Sequence, residues 1–319
     1  MEESYTNYFA EIYDDVMKRV PYEFWFKYLK DILKFYNLEA ENILELAAGT
    51  GNMTRELIKL DSVKKITALD LSESMLDKAA QKTELFSAVN NNLAINKPED
   101  NVRHFILNDF KNDKVIELDF TAADMRDFVF QNKFDLILSF FDSLNYLTEK
   151  SGLKSCFINT AKALKDDGLF IFDMNSIERI HSIEERRIVL EGQDYSCFWE
   201  DITKEAEDLW MVRLQICPDS REVPCYEEIH TERGYKISVI KELLLESGFK
   251  DVDVYRAFSL DKGSNKSDRL YFAAALNKKR LKNNQGKLKK IYYSFKNDIL
   301  YLFYSLKYSF FPPKKNNDY

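Results

Sequence analysis

The stretch NILELAAGTGNMTRELIKL, Asn42 to Leu60, decides the fold. Ile43, Leu44 and Leu46 form a short apolar run that predicts a buried strand. Gly49-Thr50-Gly51 predicts a tight turn, and Met53, Leu57 and Leu60 predict the inner face of a helix. Strand, glycine turn and helix make the ligand-binding corner of a doubly wound α/β sheet, where backbone must come close to a bound group. A second strand is expected over KKITALDL and ends in Asp70, 21 residues after Gly49. An acid at that place can accept hydrogen bonds from the two hydroxyls of a ribose.

The third glycine of a dinucleotide fingerprint is replaced here by Thr54. Instead one acid, Glu45, stands before the turn, and another, Asp124 in FTAADMRDF, closes an expected third strand. With these motifs the chain resembles the class I S-adenosylmethionine-dependent methyltransferases. Glu45 to Gly51 resembles their first motif, Asp70 their ribose-binding acid, and Asp124-Met125 their adenine-binding pair. KFDLILSFFDSLNYL, Lys133 to Leu147, resembles their fourth strand and the active-site loop after it; GLFIFDMNS resembles the fifth strand. Ala47 stands where the family often has glycine. The resemblance covers about Tyr5 to Leu276 and implies a Rossmann-like, seven-stranded, doubly wound α/β sheet with S-adenosylmethionine as cofactor. It implies Glu45, Ala47, Gly49, Gly51, Asp70, Leu71, Met75, Asp124, Met125 and Phe140 as cofactor-binding positions.

Composition is that of an ordinary globular chain, with 45% hydrophobic and 31% charged residues over 319 positions, enough for a sizeable core. No apolar run reaches transmembrane length, and Met1-Glu2-Glu3 is unlike a signal peptide, so a cytoplasmic enzyme is expected. Cys156, Cys197, Cys217 and Cys225 show no C-x-x-C spacing, which indicates neither a disulfide framework nor a zinc ribbon. With only three scattered histidines, no metal site is expected. The net charge of −7 is uneven. From Asn277 to Tyr319 there are 11 Lys and Arg against 2 Asp and Glu, a balance of +9 that leaves −16 on the rest. An acidic body disfavours nucleic acid and suits a cationic or neutral small molecule.

Before the first strand, Tyr8, Phe9, Ile12, Tyr13, Val16 and Met17 fall near helical spacing, and Pro21 opens a second helix. Tyr13-Asp14-Asp15-Val16-Met17 resembles the lid of small-molecule methyltransferases, whose lid tyrosine contacts the cofactor or orders the substrate. Tyr13 is the first choice for that role and Tyr5 the second. About 30 residues precede the third strand beyond what a minimal member of the family needs, either a hairpin arm or a flap. After Asn175, the stretches YSCFWEDIT, LWMVRLQIC and YEEIHTERGY predict a three-stranded antiparallel sheet, about residues 190–235. In the family such a sheet roofs the substrate pocket.

Methyl transfer from an activated sulfonium asks the protein mainly to hold the nucleophile and exclude water. A general base matters when the nucleophile arrives protonated. The loop Phe140 to Leu147 leaves the carboxyl edge of the fourth strand, where open sheets bind ligands. Tyr146 falls where related amine methyltransferases carry a His or Tyr near the acceptor; with the lid's Tyr13 and the roof's His230 it makes up the catalytic candidates, and Asp142, Asn145, Arg233 and Tyr235 are the substrate-binding ones. The expected acceptor is a nitrogen, or else an oxygen, of a small molecule. A peptide or protein acceptor and a non-catalytic scaffold are the alternatives left open. Two domains are expected: a methyltransferase domain over residues 1–276 and a basic amphipathic tail over 277–319. On the tail, Leu288, Ile291, Tyr292, Phe295, Ile299, Leu302, Phe303, Leu306 and Phe310 share one helical face among lysines. That pattern suits either docking on its own domain or peripheral contact with an anionic membrane surface. The sequence carries no signal of oligomeric state.

Overall fold

The computed structural model describes residues 7–89, 93–96, 103–109, 113–220, 222–282 and 292–299. Tyr5 lies outside them, as do most of the tail's apolar positions. Two helices come first, α1 (Asn7–Val16) and α2 (Tyr22–Tyr36), the second opened by Pro21 and stopped at left-handed Asn37. Then follow β1 (Asn42–Leu46), α3 (Asn52–Leu57), β2 (Lys65–Asp70), α4 (Glu73–Val89), β3 (Leu93–Asn96), β4 (His104–Asp109) and β5 (Lys114–Ala122). The chain continues through β6 (Phe134–Ser139), a short 3-10 turn (Ser143–Tyr146), α5 (Lys150–Ala163) and β7 (Leu164–Asn175). Next are α6 (Ile177–His181), β8 (Arg187–Glu191), β9 (Tyr195–Lys204), β10 (Leu209–Pro218) and β11 (Tyr226–Arg233). It ends with α7 (Ile237–Glu246), β12 (Asp251–Arg256), β13 (Arg269–Ala275) and α8 (Lys278–Lys282).

Among the described residues the central sheet has nine strands in the order β12-β13-β7-β6-β1-β2-β5-β4-β3. Seven of them are the expected set. The inserted segment supplies the other two, β3 and β4, which pair antiparallel onto the outer edge of β5. The insertion is thus a hairpin that lengthens the sheet. β1 sits between β2 and β6, all parallel, and is covered on both faces, which is why its apolar run is nearly continuous. Ile43 faces the core made with α2, α3 and α4; Leu44 and Leu46 face the core made with α5 and α7.

The roof has four strands in the order β11-β10-β9-β8. β8 was not expected; it is a charged edge strand that buries none of its side chains. One cysteine reading is overturned as well. Cys217 and Cys225, eight apart, are joined by a disulfide across the β10–β11 turn. Cys156 and Cys197 are buried thiols, which burial pushes up to about 12 and about 11. In the tail, residues 292–299 are helical and dock through Tyr293, which packs on the core, and through polar side chains. Lys296 pairs with Asp31, Asp298 with Arg256, and Ser294 bonds Ser259 and the Leu260 amide. Tyr292, Phe295 and Ile299 point outward. Among the described residues no helix is long and apolar enough to cross a membrane.

The pairing sets a thiol count. Unfolded without reductant, the chain should titrate two thiols with a chromogenic disulfide reagent, and four after reduction. Four thiols without reductant would exclude the Cys217–Cys225 bond.

Candidate functional site

The turn after β1 is built from left-handed backbone: Ala47 at φ +56°, Gly49 at +55° and Gly51 at +72°. Ala47 is the position where glycine was the alternative, and its φ supplies the reason, since a side chain there costs about 1–2 kcal/mol. The two glycines serve different ends. A Cβ on Gly51 would meet the Ala79 Cβ at 3.0 Å, so this glycine lets α4 pack against the start of α3. A Cβ on Gly49 would meet nothing within 4 Å, so this backbone faces open space. Asp70, at the tip of β2, locks the turn by accepting from the Gly49 amide at 2.7 Å and the Ser72 amide at 2.9 Å. Burial pushes its carboxyl upward, and these amides work against the shift. Behind the turn, Thr54 donates to Glu45 Oε2 at 2.6 Å, which explains a hydroxyl in place of a third glycine. Burial pushes the Glu45 carboxyl up to about 8, the Thr54 bond opposing and the Asp70 charge adding.

The register of β1, β2 and β5 aligns Leu46 with Leu69 and Asp70 with Ala122, which sets the expected cofactor positions along one edge. Leu71 is exposed beside Asp70. Asp124, just past β5, accepts from the Arg126 amide at 2.7 Å and from Arg126 Nε at 2.9 Å, which holds its carboxyl below the usual range. Arg126 was absent from the expected set, and any ligand amine reaching Asp124 shares it with this guanidinium. Met125 is half-buried against the core. Met75 and Phe140 are both buried. Met75 is buried with Phe9 under the roof, and Phe140 packs edge-on against Tyr271.

At the end of β6, Phe141 and Asp142 are consecutive left-handed residues, at φ +62° and +55°. Two such non-glycine residues in a row store strain of about 1–3 kcal/mol each and are found where surrounding structure over-determines them. Phe141 is held by Trp25, stacked on it at 4.8 Å, and by Tyr22. The buried Trp25 Nε1 has no hydrogen-bond partner among the described residues. Helical spacing in the sequence cannot separate a lid aromatic such as Trp25 from a core one.

The strained turn delivers Tyr146, whose ring stands edge-on to His230 at 6.1 Å between centroids. His230 in turn lies 5.2 Å from Phe9, and Phe9 lies 5.6 Å from Tyr13. The three catalytic candidates thus sit along one aromatic series spanning loop, roof and lid. Two substrate candidates have other duties. Asn145 is fully buried and bonds the Asn175 and Arg233 carbonyls and the Asn175 amide. Tyr235 is in the core and donates to the Leu147 carbonyl at 2.5 Å. Arg233 leaves a buried Nε without a partner among the described residues. Asp142 is bonded by Arg269 at 2.9 Å, and Arg269 also reaches Asp173 at 2.6 Å. Asn175 bridges Asp142 and Glu232 through its amide nitrogen, at 2.8 and 2.9 Å. Burial and the Asp142 charge push the Glu232 carboxyl well above its usual range.

Residues 44–170 match the profile of the methyltransferase domain family. The Bacillus subtilis protein named "Putative methyltransferase YqeM" is 28% identical over 273 residues, covering 85% of this chain and 96% of that protein. A Geobacillus protein of like name is 27% identical, covering 83% and 97%. A crystal structure of an S-adenosylmethionine-dependent methyltransferase from Clostridium acetobutylicum is 25% identical, with TM-score 0.66 over 85% of this chain and 98% of that one. Residues 44–170 thus match a methyltransferase domain, and the chain as a whole is similar to S-adenosylmethionine-dependent methyltransferases. A sugar N-methyltransferase from a Streptoalloteichus species, 14% identical with TM-score 0.60 over 86% and 96% of the chains, shares the fold.

A methyltransferase of this class must fit S-adenosylmethionine against the glycine turn. The open space in front of Gly49 provides the close backbone approach. The Asp70 carboxylate takes the backbone amides of Gly49, Ser72 and Leu71, and its two oxygens retain acceptor capacity for a ribose.

Glu45 gives this methyltransferase a pH signature. Its folded value of about 8 lies above the ordinary 4.5, so its contribution to stability is fully present below about 4.5 and is lost as pH rises toward 8. In Glu45→Gln that decline should be absent, so melting temperatures of variant and wild type should diverge in the variant's favour between pH 5 and 8. Parallel curves would place the ionised carboxylate in the folded state.

Proposed function

We propose that this enzyme transfers a methyl group to a basic nitrogen of a small molecule, with β11 as the wall that receives the acceptor. One observation carries this reading. Along β11, Glu228, His230 and Glu232 alternate inward and are 4%, 4% and 5% exposed. A strand covering a core would bury apolar residues on that face; this one buries ionisable groups above the turn that bears Asp142 and Tyr146. Carboxylates in such a place cost several kcal/mol unless a cation or proton offsets them. An ammonium acceptor suits that wall better than an alcohol.

When bound, S-adenosylmethionine supplies an activated methyl group at the carboxyl edge of β1, held by Asp70 and the Gly49 backbone. The remaining tasks fall to the protein. His230 Nε2 lies 3.2 Å from Glu228 Oε2, a pairing that orients the imidazole. Such an imidazole can take the proton that an ammonium must lose before its nitrogen attacks. Tyr146, edge-on to the ring, fixes the acceptor's angle, and Tyr13 closes the site from the lid.

An acceptor screen with radiolabelled S-adenosylmethionine tests the class: primary and secondary amines should be labelled and matched alcohols should not. With the best amine, His230→Gln should lower turnover about 100-fold, and Tyr146→Phe less, while calorimetry shows cofactor affinity within about twofold of wild type. Full turnover in both variants would remove this wall from the acceptor site.

For the tail, the outward stripe of Tyr292, Phe295 and Ile299 and the +9 balance around it support peripheral contact with an anionic membrane. The full chain should float with anionic vesicles and less so at high salt, whereas Phe295→Ser should stay behind. A chain that never floats ends this reading.

A further inference from the structure

We propose that Asp14 is a positioning residue that fastens the lid helix α1 to the cofactor-binding turn, so that seating of the lid and binding of S-adenosylmethionine are coupled. Its carboxylate accepts from Thr50 Oγ1 at 2.8 Å, Asn52 Nδ2 at 2.8 Å and Lys82 Nζ at 2.6 Å. Lys82, reaching up from α4, also donates to Thr50 Oγ1 at 3.0 Å and Asn52 Oδ1 at 2.7 Å. The lid, the turn, the start of α3 and α4 therefore meet at one carboxylate.

The turn's conformation and the lid's position are tied by this geometry. Thr50 lies between two left-handed glycines, so the shape of the turn sets where Thr50 Oγ1 and Asn52 stand relative to Asp14. A cofactor that holds the turn in its present shape keeps both donors aimed at the lid. The neighbouring residue completes the arrangement: Asp15 accepts from Tyr195 of the roof at 2.7 Å. Consecutive carboxylates thus bind α1 to the cofactor turn on one side and to the roof on the other. Tyr13, the preceding residue, is placed by both. Coupling of this kind is reciprocal, so whatever the bound cofactor adds to lid seating, the seated lid adds to cofactor affinity.

The proposal rests on the family's cofactor and not on the nature of the acceptor. Calorimetry with S-adenosylmethionine and amide hydrogen exchange over residues 7–16 test it on the full chain. Asp14→Ala and Lys82→Met should each weaken cofactor binding about tenfold, and the double variant by little more than the worse single one. Asp14→Asn should recover part of the loss, because its amide oxygen still accepts from Thr50 and Lys82. Cofactor should slow exchange over α1 in the wild type and fail to do so in Asp14→Ala. If Asp14→Ala does not fold, Lys82→Met carries the same two readouts. Wild-type affinity and undiminished protection in the variants would overturn the proposal, as would losses that simply add. A lowered melting temperature with unchanged affinity would overturn it too, by assigning Asp14 to stability alone. Failure of the wild type to bind would overturn the cofactor assignment itself, and is visible before any variant is made.

Discussion

The bond from the Gly49 amide to the Asp70 carboxylate is the constraint on which the site depends. It joins the turn after one strand to the tip of the next, so the parallel register of β1 and β2 and the shape of the turn are fixed together. A bond to a charged acceptor is worth about 1.5–3 kcal/mol, enough to offset much of the left-handed strain at Ala47. The consequences run outward. With the turn held, Gly51 is pressed to Ala79, which sets α4 against α3; α4 then carries Lys82 to where it can meet Thr50 and the lid. Removing the constraint would loosen more than a ribose contact.

Buried charge is the second organising feature, and its sign is informative. Asp173 is fully buried, Glu232 nearly so, and a single guanidinium, Arg269, serves Asp142 and Asp173. Apolar residues of similar volume in such places are commonly neutral or stabilising relative to an ion pair. A fold under selection for stability alone has no need of this cluster beneath the roof. Its position over the end of β6, where two consecutive residues are strained, joins two departures from local rules at one spot. Departures of that kind collect at functional sites.

The central sheet was legible because its signals are local. Apolar runs bounded by turn residues give the strands, and the glycine turn with Asp70 gives the ligand edge. What escaped the reading lacks a local signal. β8 is an edge strand with no buried residue, and β3 has four residues. The disulfide depends on the hairpin register, although Pro218, Asp219, Ser220 and Pro224 between its cysteines mark a turn. β11 was read as a strand, but its orientation is inverted: Ile229 is only half-buried while Glu228, His230 and Glu232 point in. Period-two reasoning places the apolar residues inside, so the inward face of this strand was the one it could not give, although His230 itself had been singled out. Asn145 and Tyr235 have the chemistry of binding residues, and only tertiary contacts reveal that their hydrogen bonds are spent within the fold.

The lid follows from the length of its helix. Ten residues are too few for a helix to persist alone in water, so α1 takes its order from what it touches. It touches both halves of the site. Phe9 and Ala10 share an apolar cluster with Met75 of α4 and with Cys197, Val212, Leu214 and Ile216 of the roof. Tyr8 stacks on Tyr226 at the roof's hairpin, at 3.4 Å between centroids. An element stabilised only by docking against two partners orders fully when both are in place. The lid is therefore a junction between the glycine-turn edge of the central sheet and the roof sheet.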